Sequence, residues 1–138
     1  MKIYGDLKSG NCYKLKLLCH LLQLEHEWVH VDILREETRT PGFLILNPNA
    51  KVPLLELNDG RTLSESNAIL NYLASGSALL PQDNFTLAKV LQWQFFEQYS
   101  HEPYIAVARF IACYLGLPEE RRAEYRAKQP GGHRALQV

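Results

Sequence analysis

Residues 47–74 read NPNAKVPLLELNDGRTLSESNAILNYLA, and the reading of this stretch decides the fold. Leu54 to Leu57 is a short apolar strand. Asn58-Asp59-Gly60 carries the residue types of a tight turn, so Arg61 to Leu63 returns as a hairpin partner. Ser64 then reads as the cap of a helix that runs to about Ala74. Working outward towards the N-terminus, Glu27 to Ile33 alternates Val29, Val31 and Ile33 with polar neighbours, a strand pattern. Thr40-Pro41 suits a cap and first helical position for a short helix ending before Asn47-Pro48. Leu15, Leu18, Cys19 and Leu22 recur at helical spacing, which predicts a helix over Cys12 to Leu24. Lys2 to Tyr4 is a strand in front of it, joined through the turn-like Gly5–Asn11. The resulting order is β-α-β-α-β-β-α, an α/β domain over residues 1–76.

Residues 77–85 read as a linker, polar and proline-containing with a small apolar anchor at Leu79-Leu80. Residues 86–138 change period and read as part of an all-helical domain. Leu87 to Leu115 is helical in pattern and carries Trp93, Phe95, Phe96, Tyr99, Tyr104, Phe110 and Tyr114 on nearly every side, so other structure should cover it. Pro103 should kink or break it. A further helix should start near Pro118-Glu119-Glu120, be interrupted by Gln129-Pro130-Gly131-Gly132, and give way to a new apolar face at Ala135–Val138. The pattern has no closing cap there, so the polypeptide is expected to be a C-terminally truncated piece of something longer.

Composition narrows the function. The chain has 138 residues, 46% hydrophobic and 22% charged, with fifteen Lys+Arg balancing fifteen Asp+Glu. A neutral balance argues against nucleic acid or a membrane surface as the main partner. No apolar run reaches the roughly 18 residues of a membrane span, and MKIYGDLKSG lacks a signal-peptide core, so a cytoplasmic location is expected. Cys12, Cys19 and Cys113 are too few and too scattered for a disulfide framework or a zinc ribbon. The five histidines, His20, His26, His30, His101 and His133, show no ligand spacing, so no metal is expected.

Three places can carry chemistry. Ser9-Gly10-Asn11-Cys12 lies at the mouth of the first helix, where unpaired N–H groups stabilise anions, thiolates included. The thioredoxin superfamily puts its Cys-x-x-Cys there; here the spacing is Ser9-x-x-Cys12, which disfavours two-thiol exchange and suits a hydroxyl donating to an incoming thiolate. Ser9 and Asn11 are equally explained as helix caps, and Cys12 as a small buried side chain. Lys51-Val52-Pro53 precedes a strand; a cis Pro53 would offer a backbone edge to an extended peptide, whereas a trans proline would simply start the strand. Ser64-Glu65-Ser66-Asn67 opens a helix. Ser66 could receive a carboxylate and Glu65 an ammonium, which together fit an α-amino acid head group, although capping by Ser64 and a dipole role for Glu65 would also account for these residues.

In their order and spacing, MKIYGDLKSGNCYKLKLLCHLL, NPNAKVPLLELNDGRTLSESNAILNYLA and QWQFFEQYSHEPYIAVAR together resemble the cytosolic glutathione transferase superfamily. The chain is similar to its bacterial, serine-type members. The resemblance implies a thioredoxin-like glutathione-binding domain followed by a helical domain, usually in a homodimer. Its expected activity is detoxifying attack of the glutathione thiolate on small electrophiles, with glutathione as co-substrate. It assigns Ser9 to the glutathione sulfur, with Asn11 as the other candidate. It assigns Val52, held by a cis Pro53, to the cysteinyl unit, Glu65 and Ser66 to the γ-glutamyl head, and Lys51 or Arg35 to the glycine carboxylate. Two departures stand out: Tyr4 sits inside the strand and does not match the thiol-activating tyrosine of other classes, and Ala50 replaces a histidine common in the Asn-Pro loop. Alternatives are glutathione binding without turnover in a structural remnant, and disulfide reduction through bound glutathione.

Overall fold

The computed structural model describes residues 1–138, which form two compact units, Met1–Pro81 and Gln82–Val138. In the first, strands β1 (Lys2–Gly5), β2 (Glu27–His30), β3 (Leu54–Glu56) and β4 (Thr62–Ser64) make one four-stranded sheet in the order β2-β1-β3-β4. β1 and β2 run parallel, while β3 is antiparallel to both β1 and β4. Helices α1 (Gly10–Leu21), α2 (Pro41–Leu46) and α3 (Ser66–Ala74) complete the thioredoxin-like arrangement.

The alternation of strand side chains builds two cores, one on each face of the sheet. Ile3 and Leu55, paired across β1 and β3, pack with Leu15 and Cys19 of α1 and Ile69 of α3, all fully buried. Each such aliphatic side chain contributes about 1.5–3 kcal/mol on burial. On the other face Leu54 packs with Val31 and with Phe43 of α2, beside Tyr4, Leu46 and Val52. α2 starts as its sequence requires: Thr40 Oγ1 accepts from the Phe43 N–H and Pro41 occupies the first turn.

Three local features differ from the expectation. α1 stops at Leu21 because Gln23 takes a left-handed conformation (φ 53°), while the N–H groups of Gln23 and Leu24 return to the carbonyls of His20 and Cys19. This double closure usually employs glycine, so its residue types gave no warning. β2 stops at His30 because the Asp32 carboxylate captures the N–H groups of Leu34 and Arg35 at 2.9 and 3.2 Å, folding the chain into a turn. Ser64 is not the cap of α3: it is the last residue of β4, paired with Leu54, and Glu65 takes the cap position at φ 69°, ψ 112° with no side-chain capping bond.

The second unit begins with α4 (Asn84–Phe96), capped by Asp83, whose Oδ1 accepts from the Thr86 N–H at 2.9 Å. The chain passes through a π-helical turn at Glu97–His101 into α5 (Glu102–Arg109), and a second π-turn follows at Phe110–Tyr114. Pro103 therefore falls in the first turn of α5, directly after the π-helical turn, and the backbone keeps helical angles across the junction. The expected cover over the aromatic stretch is only partial in this unit: α4 has no buried residue, and Phe85 and Phe95 are 76% and 69% exposed, whereas Ile111 beyond α5 is fully buried.

The last helix, α6 (Arg122–Ala135), corrects the expected interruption at Gln129–Gly132 by running straight through it. Pro130 leaves the Arg126 carbonyl without its helical donor, but both residues face solvent, where water replaces the bond. Gly131 and Gly132 are buried because they meet α5. A Cβ on Gly131 would enter the Tyr104 ring, and one on Gly132 would come within 3.2 Å of Ile105 Cγ1. The glycines serve close helix packing here and do not mark a loop. No helix is long and apolar enough to cross a membrane.

Candidate functional site

The C-terminal ends of β1 and β4 and the N-terminal end of β3 lie at one edge of the sheet. Continuing the ladders by one residue sets Pro53 opposite Gly5 on one side and Glu65 on the other. The Val52–Pro53 peptide is cis, Pro53 is buried and Val52 half-buried. From this edge the chain enters α1 after β1 and α3 after β4, so both helix N-termini open beside it.

Ser9 caps α1 with φ −73° and ψ 127°, its Oγ accepting from the Cys12 N–H at 3.4 Å. Its own N–H donates to the Asp6 carbonyl at 3.0 Å, and the Asp6 carboxylate accepts from the Lys8 N–H at 2.8 Å. Asp6 is buried and thereby sets the shape of the loop before α1. Cys12 is fully buried behind Gly5, where a Cβ would approach its sulfur to 3.0 Å and the Trp28 ring to 2.8 Å. Burial pushes the Cys12 thiol up, and the hydrogen bonds from Ser9 and the Asp6 backbone only partly oppose it. Cys12 is thus a protonated packing residue at neutral pH.

At the start of α3, Glu65 is exposed and Ser66 is buried. Ser66 Oγ donates to Asn11 Oδ1 at 3.2 Å, joining the first turn of α3 to the first turn of α1. Lys14 Nζ donates to Asn67 Oδ1 at 2.9 Å, a second tie between the same helices. Ser9, Asn11, Val52, Pro53, Glu65 and Ser66 therefore gather around one sheet edge and the two helix mouths. Lys51 and Arg35 are exposed, and no hydrogen bond ties either side chain to that cluster; the Arg35 N–H bonds Asp32, and the Lys51 carbonyl accepts from Asn47 Nδ2 at 2.8 Å.

Tyr4 is occupied elsewhere. Its hydroxyl donates to Glu56 Oε2 at 2.6 Å, and that bond, with burial and the negative charge, pushes its pKa up to about 12. Asn47 and Asp6 are the residues that the sequence reading missed. Buried Asn47 fixes the loop before Pro53: its Oδ1 accepts from the Asn49 N–H at 3.1 Å and its carbonyl from the Ala50 N–H at 3.0 Å. The signal was present in both places, an Asp or Asn bonding the backbone N–H two residues on. No group of three or more His, Cys, Asp or Glu side chains is placed to hold a metal ion.

Comparison with known proteins bears on this edge. A family model described as the glutathione S-transferase N-terminal domain matches residues 9–75. A crystal structure of a glutathione S-transferase from Pseudomonas fluorescens superposes with a TM-score of 0.96 at 62% identity, covering 99% of this chain and 68% of that one. A glutathione transferase from Phanerochaete chrysosporium, URE2P6, solved in complex with oxidized glutathione, superposes at 0.84 with 27% identity, covering 99% of this chain and 64% of that one. Protein URE2 from Meyerozyma guilliermondii is 31% identical over 125 residues, 84% of this chain and 42% of its own length. The chain spans about two fifths of the length of such curated relatives. With its thioredoxin-like sheet, helical second unit and near-complete superposition on a relative of 62% identity, the chain belongs to the glutathione S-transferase family.

Proposed function

We propose that the chain binds glutathione along the Val52–Pro53 edge and presents its sulfur at the mouth of α1 for attack on a small electrophile. The observation that carries this reading is the meeting of the α1 and α3 N-termini through Ser66 and Asn11 beside that edge. Two helix N-termini favour two negative groups, the γ-glutamyl carboxylate at α3 and the thiolate at α1. Glu65 is exposed beside the first and supplies the partner for the ammonium. Val52 pairs its backbone with the cysteinyl unit, and Lys51 or Arg35 reaches the glycine carboxylate. Residues 1–76 form the glutathione-binding domain, 77–85 the linker and 86–138 the helical part, and the protein works as a homodimer.

A free thiol of pKa about 8.5 is only a few per cent ionised at neutral pH, and lowering it by two units requires about 2.7 kcal/mol of preferential thiolate stabilisation. The helix terminus and one or two donors from Ser9 and Asn11 are of the right size to provide it. The thiol proton leaves to solvent, the sulfur lone pair forms the bond to the ring carbon of an aryl halide, and the halogen departs from that carbon as halide with the bonding electrons. Calorimetry with glutathione, together with the rate of conjugation of a generic aryl halide, tests the reading. Glu65→Ala should weaken binding by about 1.5–3 kcal/mol, the range for a charge-assisted bond; an unchanged affinity overturns the assignment.

The relative solved with oxidized glutathione favours a second reading, reduction of a small disulfide by bound glutathione. Turnover of a mixed disulfide with glutathione but not of the aryl halide would select it, and binding with neither turnover would leave a glutathione-binding protein.

A further inference from the structure

Asn47 makes a hydrogen bond to each of the three residues that precede Val52. Its Oδ1 accepts from the Asn49 N–H at 3.1 Å, its carbonyl accepts from the Ala50 N–H at 3.0 Å, and its Nδ2 donates to the Lys51 carbonyl at 2.8 Å. The two ends of the side-chain amide are not interchangeable here, because a backbone N–H can only donate and a carbonyl can only accept. Asn47 is itself held. It is 4% exposed, and its N–H donates to the Phe43 carbonyl at 2.8 Å at the end of α2, with Phe43 in the core beside Leu54.

The Lys51 carbonyl and the Val52 N–H are opposite ends of one planar trans peptide. Pinning the carbonyl towards Asn47 therefore aims the N–H away from it, and a donor on the carbonyl also polarises the N–H at the other end. No hydrogen bond within the chain uses the Val52 N–H or C=O. Val52 is thus held between two fixed points, the Lys51 carbonyl and Leu54 in the ladder with Tyr4, with both of its own backbone groups open. We infer that Asn47 is a positioning residue for ligand binding: through the Lys51–Val52 peptide it aims the Val52 N–H at the carbonyl of the ligand's cysteinyl unit. This inference rests on the glutathione-binding reading above and adds to it the side chain that sets the edge.

The test compares two ligands by calorimetry: γ-glutamyl-S-methylcysteine amide, and γ-glutamyl-S-methylcysteamine, which lacks only the cysteinyl carboxamide. Neither carries glycine or a thiol, so contacts to the glycine carboxylate and thiol ionisation do not enter the comparison. Wild type should prefer the amide roughly fivefold, the worth of one neutral hydrogen bond. Asn47→Asp keeps an acceptor for the Asn49 N–H but sets an oxygen against the Lys51 carbonyl, and it should bind the two ligands equally. Asn47→Ala, which buries no charge, should lose the preference as well, and serves where Asn47→Asp folds poorly. Asn49→Ala, an exposed change in the same loop, should keep it. In wild type the amide, and not the cysteamine, should slow hydrogen exchange at the Val52 N–H. A merely structural role would weaken both ligands alike and leave their ratio unchanged. No preference in wild type, a wild-type ratio in a folded Asn47 variant, or equal protection of the Val52 N–H by the two ligands overturns the positioning role while glutathione binding stands. Wild-type protein that binds neither S-methylglutathione nor the amide overturns the underlying reading and this inference with it.

Discussion

Gly131 of α6 lies flat against the Tyr104 ring of α5, so close that a single methyl group cannot be added between them. Gly131→Ala must therefore push the helices apart or displace the ring. Overpacking of this kind costs about 1–3 kcal/mol. Urea denaturation should show a lower midpoint for Gly131→Ala. Gly10→Ala is the control: it has open space at its Cβ position and should leave the midpoint within a few tenths of a kcal/mol.

Tyr4 and Glu56 tie β1 to β3, and the bond requires a protonated phenol. The folded protein holds that proton up to a pKa of about 12, against the ordinary value of 10.0. The folded state thus binds the proton more tightly than the unfolded chain. The stabilisation is complete below pH 10 and is lost as the pH rises through 12. Over that window the denaturation midpoint of wild type should fall more steeply than that of Tyr4→Phe. At neutral pH Tyr4→Phe should be less stable by about 1–3 kcal/mol, because it leaves Glu56 without its partner.

The three cysteines differ in reach. Cys12 and Cys19 are buried with thiols pushed up by that burial, whereas Cys113 is exposed. Iodoacetamide at neutral pH should label Cys113 first, and the other two only after denaturant is added, as read by mass spectrometry of the digested protein. Cys12→Ser should leave conjugation nearly unchanged. A large loss of rate with retained fold would transfer the chemistry to Cys12.

α4 presents Trp93 and Phe95 to solvent at 54% and 69% exposure, a face that soluble proteins seldom leave bare. Sedimentation at micromolar concentration should show self-association, and Phe95→Glu should shift it towards monomer while keeping the helical circular dichroism of wild type, with a lower thermal midpoint because the folded state loses its partner. At about 25 cal/mol per Å2, a few hundred Å2 of shared apolar surface offsets much of the entropy of pairing. A monomeric wild type would exclude the homodimer for this chain.

The order of elements in residues 1–76 could be read because period-two and period-3.6 patterns, Thr40-Pro41 and Asn58-Asp59-Gly60 are local signals. Two misreadings share a physical origin: Glu65 in place of Ser64 as the helix start and Gly131-Gly132 inside a helix are set by what lies across from them in space. Gln23 instead ends its helix by a local closure in a left-handed conformation that usually calls for glycine. The pair Asn11–Ser66 is 55 positions apart in sequence, so each residue type suggested a cap and neither indicated the other. Lys51 and Arg35, attached only by the resemblance, have no tie to the cluster that would have marked them from within.

The hairpin between β3 and β4 acts as a ruler. Leu54 pairs with Ser64 only because the turn, closed by the Leu57 and Arg61 backbone and the left-handed Gly60, has its present length. Two residues more or fewer in β4 would preserve which side chains face the core and leave the sheet stable, yet would carry Glu65 and Ser66 about 6–7 Å along the strand. Asn11, fixed on another element, would not follow. Length variation in that turn is therefore silent for folding and decisive for the site, and a screen of turn insertions would separate clones that merely express from those that retain the ligand.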